Sequence, residues 1–187
     1  PRGEDLYFSF LTERMDEIPS PFAITLAVGL GMAEAVETLT GVEALVKWPN
    51  DVRLHDKKIA GILVESSGNL SEGVIVGIGL NVNRQHFPIE LEDKASSLLR
   101  VTGRSFDREE VAIAVLRSID TRMREFEERG PGGIVRALNE RLALRHRKVR
   151  VGSAIGRIYG ISGSGALMLE SDGVITEVVA GTVEALD

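Results

Sequence analysis

The run GVIVGIGLNVN, residues 73–83, carries the most informative strand pattern of the chain. Successive side chains of a strand point to opposite faces, so a strand with one apolar face buries that face in the core. The apolar face here consists of Val74, Val76, Ile78, Leu80 and Val82. The opposite face carries Gly77, Gly79 and Asn81. Gly77 and Gly79, called the glycine strip below, leave flat backbone on which a small planar ligand can lie, unless the apolar segment 22–39 packs over them as a helix.

The run KWPND, residues 47–51, ends the strand predicted over 44–48. Pro49 fixes its own backbone angle and holds Trp48 extended, so Asn50 and Asp51 project from a strand end. Binding residues often lie at such ends. A buried tryptophan followed by an ordinary Asn-Asp turn is the alternative.

The run KKIAGILVE, residues 57–65, contains another predicted strand, over 58–65. Gly61 in its interior is unfavourable unless another group approaches the backbone closely. Lys57 and Lys58 point to opposite faces, so one of them can face a pocket while the other stays in solvent. Two solvated turn lysines would produce the same sequence.

Outside these motifs the chain alternates between strand and helix patterns. Strands are predicted over 6–11 and 73–82, and a loop is predicted around Pro19 and Pro21. Buried or capped helices are predicted over 22–39, from Asp107 to Gly130, and over 134–144. These elements predict an α/β (α+β) domain over 1–146, with helices packed on a sheet that is either a meander or mixed.

The last forty or so residues are read as a small barrel. Short strands are predicted over 148–151, 155–161, 166–170, 174–179 and 182–186. Ser171-Asp172-Gly173 is a favourable hairpin turn, because Asp-Gly tolerates positive backbone angles. We expect this second domain to occupy 147–187.

Composition excludes several classes of function. The chain has 187 residues and a formal net charge of −6, which disfavours a nucleic-acid interface because phosphates need clustered cations. It has no cysteine, which excludes disulfides and thiolate metal sites and permits a reducing cytoplasm. The apolar run 22–35 is shorter than the roughly 20 residues of a membrane span. The three histidines have no ligand spacing, so no metal site is predicted.

Together KWPND, KKIAGILVE and GIGLNVN, in this order and at close spacing, resemble the biotin protein ligase (biotin-[acetyl-CoA-carboxylase] ligase) family. Similarity extends over nearly the whole chain. The C-terminal stretch GALMLESDGVITEVVAGTV, residues 165–183, looks like the SH3-like β-barrel of that family.

The resemblance implies a two-step reaction in which biotin and MgATP form biotinyl-5′-AMP, and the biotinyl group then passes to a lysine of a carrier. It assigns catalysis to Lys58. It assigns biotin binding to Gly61, Leu63, Gly77 and Gly79, and ATP binding to Lys47, Asn50, Asp51 and Asn81. The substrates would be biotin and ATP, with Mg²⁺.

The implied partner is the biotin carboxyl carrier domain of acetyl-CoA carboxylase or a similar carboxylase, and the implied location is the cytoplasm. The resemblance also allows a homodimer. It implies no binding to nucleic acid or to a membrane. Family members carry a GRGRRGR-type loop before the position equivalent to Pro1, so we expect a truncated ligase. Two alternatives stay open: a non-catalytic fragment that binds biotin or self-associates, and a related lipoate or octanoyl transferase.

Overall fold

The computed structural model describes residues 3–12, 21–65 and 73–186. The elements in chain order are β1 (Leu6–Leu11), α1 (Pro21–Thr40), β2 (Leu45–Lys47), β3 (Asp51–Leu54), β4 (Lys57–Glu65), β5 (Ile75–Leu80), α2 (Leu98–Thr102), α3 (Arg108–Arg129), α4 (Gly132–Glu140), β6 (Lys148–Val151), β7 (Ala154–Ile161), β8 (Leu167–Ser171), β9 (Val174–Val178) and β10 (Val183–Ala185). The predicted helices and sheets of an α/β fold are confirmed. Pro19 lies outside the described residues, and Pro21 begins α1, a position that proline favours.

The first sheet has the strand order β1-β5-β4-β3-β2, and all its pairings are antiparallel. Strands β2 to β5 are consecutive neighbours and form a meander. The prediction of a mixed sheet is wrong, because the described strands of this sheet pair only in the antiparallel direction. β1 pairs with β5 across the long sequence separation between them. The sheet therefore places the start of the chain beside the glycine strip.

The apolar face of β5 lies in the core, as the alternation predicts. Val74, Val76, Ile78, Leu80 and Val82 are all buried. Helix α1 covers this side of the sheet, where its Gly29 faces Ile62 and Val46 at van der Waals distance. Gly31 packs instead against α3: a Cβ there would lie 2.8 Å from the Ile119 Cα. The two glycines of α1 therefore pack against different elements.

Strand β3 was not predicted, because Asn50, Asp51 and Asp56 were interpreted as turn residues. Val52 and Leu54 alternate with polar residues and are fully buried, which makes Asp51–Leu54 a short strand. His55 and Asp56 then adopt positive φ angles of 46° and 61° in a tight turn to β4.

Helix α3 begins where predicted, since the Asp107 carboxylate accepts hydrogen bonds from the backbone N–H groups of Glu109 and Glu110. Helix α4 ends four residues earlier than expected. Leu142 forms a bridge to Val46 instead, and the Ala143 N–H donates to the Val46 carbonyl. This pairing with β2 competes with a further helical turn.

The second sheet has the order β10-β6-β7-β8-β9 and is antiparallel throughout. Asp172 and Gly173 have positive φ angles of 52° and 78°, as the predicted hairpin turn requires. The indole Nε1–H of Trp48 donates to the carbonyl of Gly165, 3.0 Å away, and so links the two sheets. Closure of this sheet into an SH3-like barrel, and the boundary between 146 and 147, stay predictions.

Among the described residues one helix, α1, is long and apolar enough to span a membrane by length and composition, so our length argument against such a segment is wrong. Of its apolar window, Phe22–Thr40, 72% is buried within the fold. Its apolar character is that of a helix in a protein core.

Candidate functional site

A single row of paired residues crosses all strands of the first sheet and organises the site. Its members, from edge to edge, are Lys47, Asp51, Gly61, Gly79 and Tyr7. Charged side chains stand at one end, an aromatic ring stands at the other, and the two residues between them have no side chains. The neighbouring row places Leu63, Gly77 and Ser9 side by side.

The glycine strip faces an open groove of about 620 Å³ on the side of the sheet opposite α1. Its lining includes Tyr7, Ser9, Asn50, Lys58, Gly61, Leu63, Gly77 and Gly79. The atoms nearest to a Cβ at Gly77 belong to Ser9 and Leu63, and among the described residues a Cβ at Gly79 would meet only Tyr7. The alternative in which α1 packs over the strip is therefore wrong. Another groove, of about 530 Å³, lies between α3 and the end of β1 and holds none of the motif residues among its described lining.

Lys58 reaches this groove because β4 contains a bulge. Arg53 pairs with Lys58 and Val52 with Ala60, which leaves Ile59 as an extra residue. Regular alternation would place Lys58 and Gly61 on opposite faces. The extra residue instead places Lys58 and Gly61 on the same face of the sheet. The Lys58 ammonium lies 3.0 Å from the point where a Gly61 Cβ would stand. The missing side chain of Gly61 thus makes room for the lysine, in addition to flattening the wall.

The two lysines of β4 have different partners. The Lys58 ammonium forms an ion pair of 2.5 Å with Asp51 Oδ1, and 44% of the Lys58 side chain stays exposed to the groove. The Lys57 ammonium donates to the backbone carbonyl of Glu92, 3.0 Å away. The backbone of Lys58 is held by Lys94 and Ser96, so its position does not depend on the ion pair alone. Lys58 is the lysine that faces the pocket.

The turn at Trp48-Pro49-Asn50 is fixed from both sides. Trp48 is buried, and the peptide bond to Pro49 is cis. The side-chain amide of Asn50 donates to the Ile62 carbonyl at 2.8 Å, and the Ile62 N–H donates to the Asn50 carbonyl at 3.0 Å. Both alternatives for this motif are therefore partly realised. The tryptophan is core, and the turn also places Asn50 in the lining of the groove and Asp51 against the Lys58 ammonium.

Lys47 lies at the charged end of the row and is half-buried. Loss of hydration lowers the pKa of its ammonium below the ordinary value, and the nearby charges of Arg53 and Lys58 act in the same direction. Asp51 opposes this shift, as does Glu184 of β10. An added anion at this end would relieve the excess positive charge.

Asn81 lies beside the groove but is engaged elsewhere. Its side-chain amide donates to the carbonyl of Ser96 at 3.0 Å, and its backbone carbonyl accepts from Leu98. It therefore joins β5 to the segment before α2. Its assignment to ATP binding stays a prediction.

Tyr7 and Ser9 line the groove and were missed, since only a strand was predicted for 6–11. The alternation of Leu6, Phe8 and Phe10 with more exposed residues could have placed Tyr7 and Ser9 outside the core. The pairing of β1 with β5 could not be read from that alternation.

Within 3–12, 21–65 and 73–186, no group of three or more His, Asp or Glu side chains is placed to hold a metal ion. Asp51 is the carboxylate that lines the row beside Lys58. The arrangement suits a substrate with a flat polar head on the glycine strip and a negative charge at Lys58.

Comparisons with known proteins identify a family, related sequences and a shared fold. The Biotin/lipoate A/B protein ligase family matches residues 1–81. The bifunctional ligase/repressor BirA of Escherichia coli is 30% identical over 98% of this chain, and the biotin-[acetyl-CoA-carboxylase] ligase of Mycobacterium tuberculosis is 32% identical over 86% of it. The chain spans about three fifths of the length of these curated relatives, 59% and 61%.

The fold comparison covers most of both chains. The biotin protein ligase of Aquifex aeolicus, solved in complex with biotin and ATP, superposes with a TM-score of 0.89 at 32% identity. The match covers 97% of this chain and 79% of that one. On this combination of sequence identity and shared fold, the chain belongs to the biotin protein ligase family.

Proposed function

We propose that the protein containing this chain is a biotin protein ligase, which forms biotinyl-5′-AMP from biotin and ATP and transfers the biotinyl group to a carrier lysine. The observation that carries this proposal is the Lys58 ammonium, exposed beside Gly61 at the edge of the glycine strip. A flat surface for a planar ring system and a cation for its carboxylate occur in one groove.

In the first step, an oxygen of the biotin carboxylate attacks the α-phosphorus of ATP. A new P–O bond forms, the bond to the β-phosphate oxygen breaks, and pyrophosphate leaves. Negative charge accumulates on the α-phosphoryl oxygens, and a fixed ammonium stabilises it more in the transition state than before it. Lys58 has this role, and Asp51 keeps its ammonium at the edge of the strip.

The glycine strip and Leu63 would hold biotin, and the turn at the charged end would hold ATP. Gly77 and Gly79 let the flat ureido ring approach the backbone, and Leu63 offers an exposed apolar side chain. Asn50, Asp51 and Lys47 stand on the opposite side of Lys58 from the strip. Lys47 is half-buried with excess positive charge around it, which favours a phosphate neighbour.

Mg²⁺ would enter with ATP. This ion takes most of its ligands from substrate phosphates and water and needs only one or two protein carboxylates. Asp51 fits that requirement, and when bound the ion would neutralise charge on the phosphates.

In the second step, the amine of a carrier lysine attacks the acyl carbon of biotinyl-5′-AMP, an amide bond forms, and AMP leaves. The names of the relatives support a biotin carboxyl carrier domain as the acceptor. We further propose a cytoplasmic enzyme with a catalytic domain over 1–146, a barrel over 147–187, and a homodimer.

Biotin-dependent exchange of radiolabelled pyrophosphate into ATP tests the proposal, with the full-length protein and with these 187 residues. Exchange that requires biotin supports it, and exchange with lipoate or octanoate in preference to biotin would contradict it. Biotin binding without exchange in the full-length protein would favour a non-catalytic binding protein instead.

A further inference from the structure

Tyr7 is an exposed aromatic residue that is nevertheless held in one place. One edge of its ring lies beside Gly79, with Cε1 and Cδ1 at 3.2 and 3.3 Å from the position of a Gly79 Cβ, yet the residue is 69% exposed. One side of the ring therefore rests on the glycine strip, and the remainder borders the groove. Apolar burial alone does not fix a ring with so much exposed surface.

The Tyr7 hydroxyl is held by a buried charge pair. Arg84 Nη2 donates to the phenolic oxygen at 3.1 Å, and the hydroxyl lies 3.5 Å from Asp5 Oδ2. The Asp5 side chain is fully buried; its Oδ2 accepts from Arg84 Nε at 2.7 Å, and its Oδ1 accepts from the Val82 N–H at 3.1 Å. These donors satisfy a carboxylate whose burial without hydrogen bonds would be costly.

Arg84 is itself fixed. Its guanidinium lies 5.5 Å from the centre of the Phe87 ring, and its backbone carbonyl accepts from the Ser97 hydroxyl at 2.7 Å. The pairing with Asp5 raises the pKa of the guanidinium further above its ordinary value. The group that contacts Tyr7 thus has little freedom to move.

We propose that Asp5 and Arg84 are positioning residues that hold the Tyr7 ring as the end wall of the biotin groove. This inference rests on the proposed function and deepens it, since it names what determines the fit of the ligand at the end opposite Lys58. The row from Lys47 to Tyr7 then has a charged end that performs chemistry and an aromatic end that defines the pocket.

The geometry of the glycine strip explains why the groove needs a fixed end wall. Gly77 and Gly79 provide a flat floor that does not orient a ligand along the strands, and Leu63 is the other exposed apolar side chain in the groove. A fixed ring at the end of the row limits how far the ligand extends along it and offers an apolar contact. The Tyr7 side chain then loses no conformational freedom when the ligand binds. A freely rotating Tyr7 would have to be ordered by each ligand.

Steady-state adenylation by the full-length protein tests this proposal, with KM for biotin and kcat measured separately. Tyr7→Phe removes the hydroxyl without leaving Asp5 unpaired, and we expect KM to rise about threefold to tenfold at unchanged kcat and melting temperature. Tyr7→Ala removes the wall and should raise KM more than tenfold. Tyr159→Phe, at the other tyrosine of the chain, is the matched control and should change nothing.

A double-mutant cycle identifies the role of Arg84. Arg84→Gln should raise KM at least as much as Tyr7→Phe does, because it removes the contact to the hydroxyl and also the ion pair to Asp5. Adding Tyr7→Phe to Arg84→Gln should raise KM no further, because that contact is already lost. Additive effects, or an unchanged KM in Tyr7→Ala, would overturn the inference while wild-type adenylation still stands. A wild-type protein without biotin-dependent turnover would overturn the proposed function together with this inference.

Discussion

The ammonium of Lys58 lies 2.5 Å from Asp51 Oδ1 because one residue, Ile59, is inserted between the paired positions of β4. If β4 alternated regularly through Ile59, Lys58 would point to the face covered by α1, and Lys57 would face the groove. The bulge decides which of two adjacent lysines faces the groove.

Gly61→Ala tests whether the room beside Gly61 matters. The new Cβ would stand 3.0 Å from the Lys58 ammonium and 3.9 Å from Asp51 Oδ1. Lysine is flexible, so we expect the fold to survive and adenylation to fall roughly 10- to 100-fold as the ammonium is displaced. Turnover and the melting temperature of the variant are both measured. Full activity, or a loss of turnover that is explained by a lowered melting temperature, would show that this space has no catalytic role.

Gly79→Val tests the floor of the groove. The larger side chain meets the Tyr7 ring and fills the strip, so we expect biotin affinity to fall about tenfold or more with the fold retained. Isothermal titration with biotin measures the effect. Gly132→Val, where a Cβ has nothing within 4 Å, is the control. Unchanged affinity in Gly79→Val would mean that the glycine serves packing.

Much of this site could be predicted from the sequence, because alternation along β5 already separates the buried valines from Gly77 and Gly79. The position of Lys58 could not, since a bulge changes parity without a sequence signal as strong as alternation. Tyr7 and Ser9 were missed for a related reason: β1 reaches the glycine strip through a long-range pairing. In β3, turn-forming residues at both ends hid a four-residue strand.

The two glycines of α1 should respond differently to the same substitution. Gly31→Ala brings a Cβ to 2.8 Å from the Ile119 Cα, where backbone must move, so we expect a loss of about 1–3 kcal/mol in the free energy of unfolding. Gly29→Ala fits at 3.6 Å from Ile62 and should stabilise the helix by up to about 1 kcal/mol. Urea denaturation measures both; equal effects would contradict the described contact between α1 and α3.

Lys47 should take up a proton when ATP binds at alkaline pH. Its pKa is lowered in the free protein, chiefly by loss of hydration, and phosphate charges would raise it again in the complex. Between the two pKa values the free amine is neutral and the bound one is charged, so ATP affinity falls as pH rises through this window. Calorimetry in buffers of different ionisation enthalpy measures the uptake. Lys47→Met should abolish it, and uptake that persists would assign the proton to another group.

The most direct test of the account compares Lys58→Ala with Lys57→Ala in the full-length protein, with biotin-dependent pyrophosphate exchange as the measurement. Lys58→Ala should lower the exchange rate about 100-fold or more, the loss expected when a fixed donor to a transition state is removed. Lys57→Ala should keep the wild-type rate, because its ammonium bonds to the Glu92 carbonyl away from the groove. Equal losses from both variants, or no loss from Lys58→Ala, would contradict the placement of adenylation at the glycine strip.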